Sequence, residues 1–216
     1  MPPRRAGRTP AKNAAPKRIR LGTDERRAQL LSLAKSSFSA RAYDDVSIDD
    51  LARDARISKG LLYHYFPTKR DLYVAGLHEI ADELVAAITA VPDNLAPIER
   101  VRAGLDAYLD HIMRLPQAYV SLMRGGIGSD PEVAAVIESV RAKLFDQFVH
   151  GTPFAAILAG NAKFEIAVRG WIGFVEGATI DWAANPRLSR EDLRELFTSV
   201  LFEILRVVLP NMIPTI

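Results

Sequence analysis

The sequence predicts an all-α protein, and three observations lead to this prediction. Apolar residues recur at the i, i+3, i+4 spacing of a helix through most of the 216 residues, whereas no segment alternates with period two over a useful length. Helix starts are marked by N-capping side chains, among them Ser47, Ser58 and Ser189. Helix ends are marked by residues that cannot continue a helix, such as Pro67 and Pro210.

Three short helices are predicted in residues 23–68, which we take as one domain. Thr23 is expected to cap the first helix, whose apolar face consists of Leu30, Leu31, Ala34 and Phe38. The second helix follows Ser47 and the third follows Ser58, with a tight joint at Arg56 and Ile57. Helices this short need neighbours to persist in water, because a lone helix requires about 12–15 residues.

The segment from Ser47 to Lys69 has the pattern of a helix-turn-helix. Its second helix buries Leu62 and Phe66 and leaves its other faces free. Such a pair of helices presents one short helix to a groove of DNA. The segment is therefore the strongest functional signal in the chain.

The remaining residues, 69–216, predict a larger helical domain. Thr68 and Asp71 form a capping box that starts a long helix, and this helix links the domain to the N-terminal unit. Asp130 and Pro131 are an N-cap and a first helical residue of a later helix.

The last two predicted helices differ from the others in composition. The first, residues 163–182, is apolar on nearly every side and has Gly170, Gly173 and Gly177 at spacings that allow close approach. The second, residues 189–209, has an unbroken apolar stripe. We therefore expect a helical hairpin over residues 163–209 that pairs with a copy of itself in a homodimer; two interior helices are the alternative.

Charge is distributed unevenly along the chain. Residues 1–22 have seven Lys/Arg and no acid, residues 23–70 have a net charge of +2, and residues 71–216 have a net charge of −7. This favours contact with DNA phosphates at the N-terminal end, although a solubilising tail on an acidic domain is the alternative. We expect residues 1–22 to be a disordered basic arm, either lying in the minor groove of DNA or without a role.

Composition also excludes several classes of protein. The chain has no cysteine, no run of 18 apolar residues and no secretory signal, so we expect a cytoplasmic protein without disulfides or a membrane span. The glycine-rich loop at 125–128 lacks the Gly-Lys-Ser/Thr of a phosphate loop, and no Gly-x-Ser-x-Gly elbow occurs. Only one of the four histidines, His78, has a carboxylate at i+4, Asp82. We therefore expect no enzyme activity, no metal and no cofactor.

The order of these elements resembles the TetR (tetracycline-repressor-like) family of bacterial transcriptional regulators. The resemblance rests on residues 24–74, above all on Ile57-Ser58-Lys59-Gly60-Leu61-Leu62-Tyr63-His64-Tyr65-Phe66. It covers about a quarter of the chain, and beyond it the resemblance extends only to helix number and arrangement. It implies a ligand-responsive regulator, expected to be a repressor, that binds a palindromic operator as a homodimer. A ligand-independent architectural DNA-binding protein is the alternative.

The resemblance also implies roles for individual residues at the DNA. Contacts to phosphate are implied for Ser47, Tyr63, Tyr65 and Lys69, and contacts to base edges or the groove floor for Lys59, Leu61 and His64. Ser58 caps the helix, and Gly60 would let its backbone approach the DNA. The family more often has a small polar residue where this chain has Leu61, which favours an apolar contact such as a thymine methyl. The alternative is an ordinary surface position for His64 and Tyr65, a core position for Leu61, and a loosened helix start for Gly60.

An effector pocket is implied among the helices of residues 96–182. Its candidate lining is mostly aromatic, with a few polar anchors: Tyr108, His111, Met123, Arg124, Phe145, Phe148, Trp171, Phe174 and Glu176. Aromatic residues at helical spacing are more often plain core. Glu176 is the more informative position, because a carboxylate in an apolar helix needs a partner or solvent.

Overall fold

The computed structural model describes residues 22–92, 94–114, 116–123, 130–150 and 160–210. All regular elements in these ranges are helical, as the sequence predicts. They are α1 (Thr23–Ala40), a 3-10 turn (Tyr43–Asp45), α2 (Ile48–Asp54), α3 (Lys59–Tyr65), α4 (Lys69–Thr89), α5 (Pro97–Arg114), α6 (Pro116–Met123), α7 (Pro131–His150), α8 (Ala162–Ala184) and α9 (Arg190–Val208). The predicted basic arm, apart from Gly22, and the glycine-rich loop at 125–128 lie outside the described residues.

Helices α1 to α3 enclose one apolar core, which also includes the start of α4. Phe38, Leu51 and Leu62 come together in it, as the sequence predicts, and Leu62 is fully buried. Phe66, just after α3, is buried as well. Helices as short as α2 and α3 are not stable alone in water. The burial of these apolar side chains in a shared core stabilises them.

Local side-chain hydrogen bonds fix where these helices begin. The hydroxyl oxygens of Ser47, Ser58 and Thr68 accept backbone N–H bonds at the starts of α2, α3 and α4. The Asp71 carboxylate accepts the Thr68 N–H at 2.9 Å and completes the predicted capping box. The cap predicted at Thr23 is wrong by one residue. Gly22 is the N-cap, because the Glu25 carboxylate reaches back to its N–H at 2.9 Å.

The joint between α2 and α3 is as tight as predicted. Arg56 has a φ of 57°, in the left-handed region. Its N–H donates to the Arg53 carbonyl at 3.0 Å, and the next N–H, of Ile57, donates to the Ala52 carbonyl at 2.9 Å. These two bonds are the Schellman pattern that closes a helix end and reverses the chain. They set the angle at which α3 leaves α2.

Helix α4 packs on both parts of the molecule, against α1 on one side and α5 and α7 on the other. The first turns of α7 also reach the N-terminal core, where Val133 and Val136 are buried. Asp130 caps α7, with its Oδ1 accepting the Glu132 N–H at 2.9 Å. The same carboxylate receives a bidentate pair from Arg70, at the start of α4. The domain boundary predicted between residues 68 and 69 stays a prediction.

Helices α8 and α9 form the predicted hairpin and pack together, with α9 also lying on α5. A network of ion pairs joins α9 to α5, in which Arg194 contacts Asp106 at 3.0 Å and Arg102 contacts Glu195 at 2.9 Å. Ser189 caps α9 by accepting the Asp192 N–H at 3.0 Å. Among the described helices, none is both long enough and apolar enough to cross a membrane.

Candidate nucleic-acid interface and buried polar cluster

Helix α3 has one buried side chain, Leu62, and leaves its other faces open. Leu61 and Tyr63 are 38% and 37% exposed. Lys59, Gly60 and His64 are exposed beside them. A Cβ built on Gly60 would meet no atom within 4 Å. The surface therefore combines apolar, aromatic and cationic groups on an open helix face, the chemistry that reads base edges and phosphates.

Lys59 does not extend freely into solvent. Its Nζ lies 3.0 Å from Oδ2 of Asp49, in the first turn of α2. This hydrogen bond and ion pair raise the pKa of Lys59. The contact joins the first residue of α3 to α2, across the helix-turn-helix.

Two other predicted DNA contacts are partly used inside the protein. The Lys69 ammonium lies 4.4 Å from the centre of the Tyr43 ring and donates to the Asp44 carbonyl at 3.3 Å. Tyr65 is half-buried against the N-terminal core, with its ring beside His64. Both remain candidates for phosphate contact. Their orientation is set by the protein before DNA is present.

A buried polar cluster lies among α5, α6 and α8. The hydroxyls of Tyr108 and Tyr119 are 2.7 Å apart. Thr179 is fully buried, and its hydroxyl is close enough to interact with that of Tyr108. Burial raises the pKa of Tyr108 to about 12 and raises that of Tyr119 as well. The cluster is therefore uncharged at neutral pH and offers hydroxyl donors and acceptors in an apolar setting.

Glu176 has the partner that its position on α8 demands. Its carboxylate receives three bonds from Arg141 of α7, the shortest 2.6 Å from Nη2. The carboxylate is largely buried, with 16% of its side chain exposed. It also acts electrostatically on Tyr108 and Tyr119, raising the pKa of each. The Arg141–Glu176 pair thus borders the polar cluster and neutralises the charge there.

The aromatic residues predicted to line a pocket form a connected group. The Phe148 ring lies between Phe164 and Trp171, at centroid distances of 6.4 and 6.1 Å. The Trp171 Nε1 donates to the Phe197 carbonyl at 3.0 Å, which ties α8 to α9. Phe145 is half-buried under the Arg169 guanidinium, 4.6 Å from the ring centre.

The remaining predicted pocket residues differ from one another in where they lie. His111 is buried on α5, its Nε2 has no hydrogen-bond partner among the described residues, and burial lowers its pKa. Met123 is half-buried at the end of α6, and Arg124 lies outside the described residues. Phe174 does not join the aromatic group around Trp171. It is 37% exposed, with its ring edge on Phe197, because it lies on the outer face of α8.

That outer face of α8 is apolar and is not covered by any of the described residues. It contains Ile166, which is 73% exposed, and Phe174. Between and beyond them, Gly170, Gly173 and Gly177 are exposed, and a Cβ at any of the three would meet nothing within 4 Å. The predicted glycine spacing therefore lies on a surface that no other described helix of the chain contacts.

Three residues in or beside the polar cluster were not predicted from the sequence: Tyr119, Arg141 and Thr179. Each contact reaches another helix, so no spacing within one helix points to it. Other polar residues occur in the same helices, so a polar side chain alone does not single these three out. Within the described ranges, no three His, Asp or Glu side chains come together as a metal site would require.

Family models match two parts of the chain. Residues 30–75 match bacterial regulatory proteins of the tetR family, and residues 97–203 match a tetracyclin repressor-like C-terminal domain. The first match contains α2 and α3 with their caps. The second contains the polar cluster and most of the α8–α9 hairpin.

Similar proteins agree with these matches. The transcriptional activator FasR of Mycolicibacterium smegmatis is 36% identical over 123 residues, 55% of each chain. The regulator HbdR of an Aromatoleum species is 35% identical over 86 residues, 39% of this chain and 38% of that one. The chain thus spans about half the length of FasR and less of HbdR.

A solved structure extends the similarity to most of the molecule. A tetR-family transcriptional regulator from Streptomyces coelicolor is 31% identical and has a TM-score of 0.75, over 87% of this chain and 83% of that one. The chain therefore belongs to the TetR family of bacterial transcriptional regulators, which bind DNA through a helix-turn-helix and are not enzymes.

Proposed function

We propose that this regulator is a repressor that binds a palindromic operator as a homodimer and is released by a small, largely apolar effector. The observation that carries the proposal is the exposed face of α3, where Leu61 and Tyr63 lie open to solvent beside Lys59 and His64. Exposed apolar and aromatic side chains of this kind suit thymine methyls and sugar–phosphate edges.

A homodimer is supported by the uncovered face of α8. Large apolar side chains and exposed glycines on one face allow a second helix to approach closely, and burial of that surface favours association. A two-fold pairing through residues 163–209 would also give two recognition helices. Half-sites about one helical turn apart, roughly 34 Å, would then be read together.

An effector site is supported by the polar cluster around Tyr108 and Tyr119. Neutral hydroxyls within an aromatic core suit a ligand that is mostly apolar and has one or two hydrogen-bonding groups. Arg141 is already engaged by Glu176, so a free carboxylate ligand would have to displace that pair. A ligand that repacks these helices would act on α4 through α5 and α7.

Repression follows when an occupied operator excludes the polymerase from a promoter. The relative FasR is named an activator, so the direction of regulation needs its own measurement. Because regulation takes place at the chromosome, we expect the protein to act in the cytoplasm. An architectural DNA-binding protein would need no effector and would show no dependence of binding on one.

The proposal is tested by selecting bound duplexes from a random library with the purified full chain. We expect one inverted repeat to be enriched and to be bound by two chains, as judged by the mass of the complex. Transcription in vitro from a promoter that contains the repeat should decrease as the protein is added.

The effector is then sought among small apolar molecules that bear a hydroxyl or carbonyl group. Those that raise the melting temperature of the protein should also release the selected duplex, and Tyr119→Phe should weaken both effects. Enrichment of no sequence would overturn the DNA-binding proposal. A monomer on the duplex would overturn the homodimer.

A further inference from the structure

Acid and base are nearly balanced in the helix-turn-helix. Residues 47–69 contain three aspartates against four Lys/Arg. Affinity for DNA of any sequence comes mainly from cations that neutralise phosphates. A reading unit whose cations are nearly balanced by its own acids therefore gains little from this source and is repelled by the phosphates wherever an aspartate is left unpaired.

Cations of this unit are held by its own acids. Asp49 contacts Lys59, and Asp50 contacts Arg53. The Asp50–Arg53 ion pair lies within α2, whereas the Asp49–Lys59 ion pair joins α2 to α3. Only the second pair therefore involves a residue of the exposed α3 face.

We propose that Asp49 is a specificity-determining residue, which positions Lys59 to read a base edge and keeps its charge from general phosphate contact. The inference rests on the proposed function, in that Lys59 faces DNA. An ammonium has three N–H donors, of which Asp49 takes one at 3.0 Å. The two others remain available for guanine O6 and N7 in the major groove.

The same pair penalises incorrect sequences. If Lys59 turns to a phosphate, the exposed Asp49 carboxylate loses its partner beside a polyanion. At a correct site the pair persists, and no such penalty arises. Discrimination then comes partly from a repulsive element that acts on all other sequences.

The experiment compares Asp49→Asn with Asp54→Asn in the full chain. Asp54 is an exposed carboxylate at the end of the same helix, so both variants remove one negative charge from α2. The affinities for the selected operator and for a random duplex are measured between about 50 and 200 mM salt.

For Asp49→Asn, we expect binding to the random duplex at low salt to tighten about threefold and its salt slope to steepen by about one. Operator binding should not tighten in proportion, so the ratio of operator to random affinity should fall about threefold. For Asp54→Asn, both affinities should change together and the ratio should be unchanged. When Lys59 is replaced by alanine, Asp49→Asn should behave like Asp54→Asn.

An unchanged ratio for Asp49→Asn, or an equal fall for both variants, would overturn the role of Asp49. Operator affinity that is unaffected by Lys59→Ala would overturn it too, while the proposed function stands if Tyr63→Phe weakens binding. If the library yields no enriched sequence, the proposed function fails and the role of Asp49 fails with it.

Discussion

Arg56 occupies a backbone conformation that costs free energy. Its φ of 57° brings Cβ close to the following carbonyl, a strain of about 1–2 kcal/mol for a residue other than glycine. Glycine is the usual residue at this position of a Schellman turn. An arginine there keeps a positive charge beside α3, at the expense of stability.

Arg56→Gly should therefore be more stable than Arg56→Ala by about 1 kcal/mol, because both remove the charge and only glycine removes the strain. In a chain of this size the difference corresponds to about 2–4 °C in melting temperature. Differential scanning calorimetry of the two variants measures it. Equal melting temperatures would show that the φ of Arg56 carries no strain.

Gly60 is the second residue of α3 and has open space around its Cα. Gly60→Ala should leave the fold intact and stabilise it by up to about 1 kcal/mol, because alanine favours a helix. Operator binding should nevertheless weaken roughly tenfold or more, if the backbone at this point lies against DNA. Binding titrations alongside thermal melts separate the two effects. A variant that is more stable and binds normally would show that DNA does not approach Gly60.

Helix α8 has one buried side and one exposed side. Its inner side supplies Phe164, Val168 and Trp171 to the core, whereas its outer side has Ile166 open to solvent. An exposed apolar residue on the outer side contributes nothing to the stability of the single chain. In the proposed homodimer it would be buried, and each buried side chain of this size is worth about 1.5–3 kcal/mol and would be counted twice in a symmetric interface.

Ile166→Asp should accordingly raise the dissociation constant of the dimer roughly a hundredfold or more. Met113→Asp is the matched control, because Met113 is 49% exposed on α5 and outside the proposed interface. Sedimentation across a range of concentrations measures both variants. A dimer equally stable in both would rule out this face of α8 as the interface.

Helix boundaries could be predicted because their causes are local. The caps at Ser47, Ser58, Thr68 and Ser189 each involve residues three positions apart. The Thr23 prediction failed for the same local reason, since Glu25 reaches an N–H one residue earlier than expected. Contacts between helices could not be predicted. Tyr108 with Tyr119 and Arg141 with Glu176 depend on how helices pack, which no periodicity within one helix specifies.

At the scale of the whole molecule, α7 connects the buried polar cluster to the helix-turn-helix. Its middle contacts Glu176 through Arg141, beside the polar cluster. Its first turn holds Arg70 through Asp130 and also buries Val133 in the N-terminal core. A rearrangement at Arg141 would therefore reach the DNA-binding unit through α7 as well as through α4. The Arg70 contact is the polar part of this connection.

The Arg70–Asp130 pair should make that connection sensitive to acid. Arg70 is the main reason why the pKa of Asp130 is lowered to about 2 from its usual 3.8. Because the folded-state pKa of Asp130 is the lower one, the pair stabilises the fold above about pH 4 and loses its contribution as the pH falls towards 2.

Arg70→Gln should lower the urea midpoint of unfolding at pH 6, and the difference from the unmodified protein should shrink below pH 4. Lys143→Gln, which breaks an exposed pair with Asp82, should have little effect at either pH. A difference between Arg70→Gln and the unmodified protein that stays constant down to pH 2 would mean that Arg70 does not stabilise α7 through the Asp130 carboxylate.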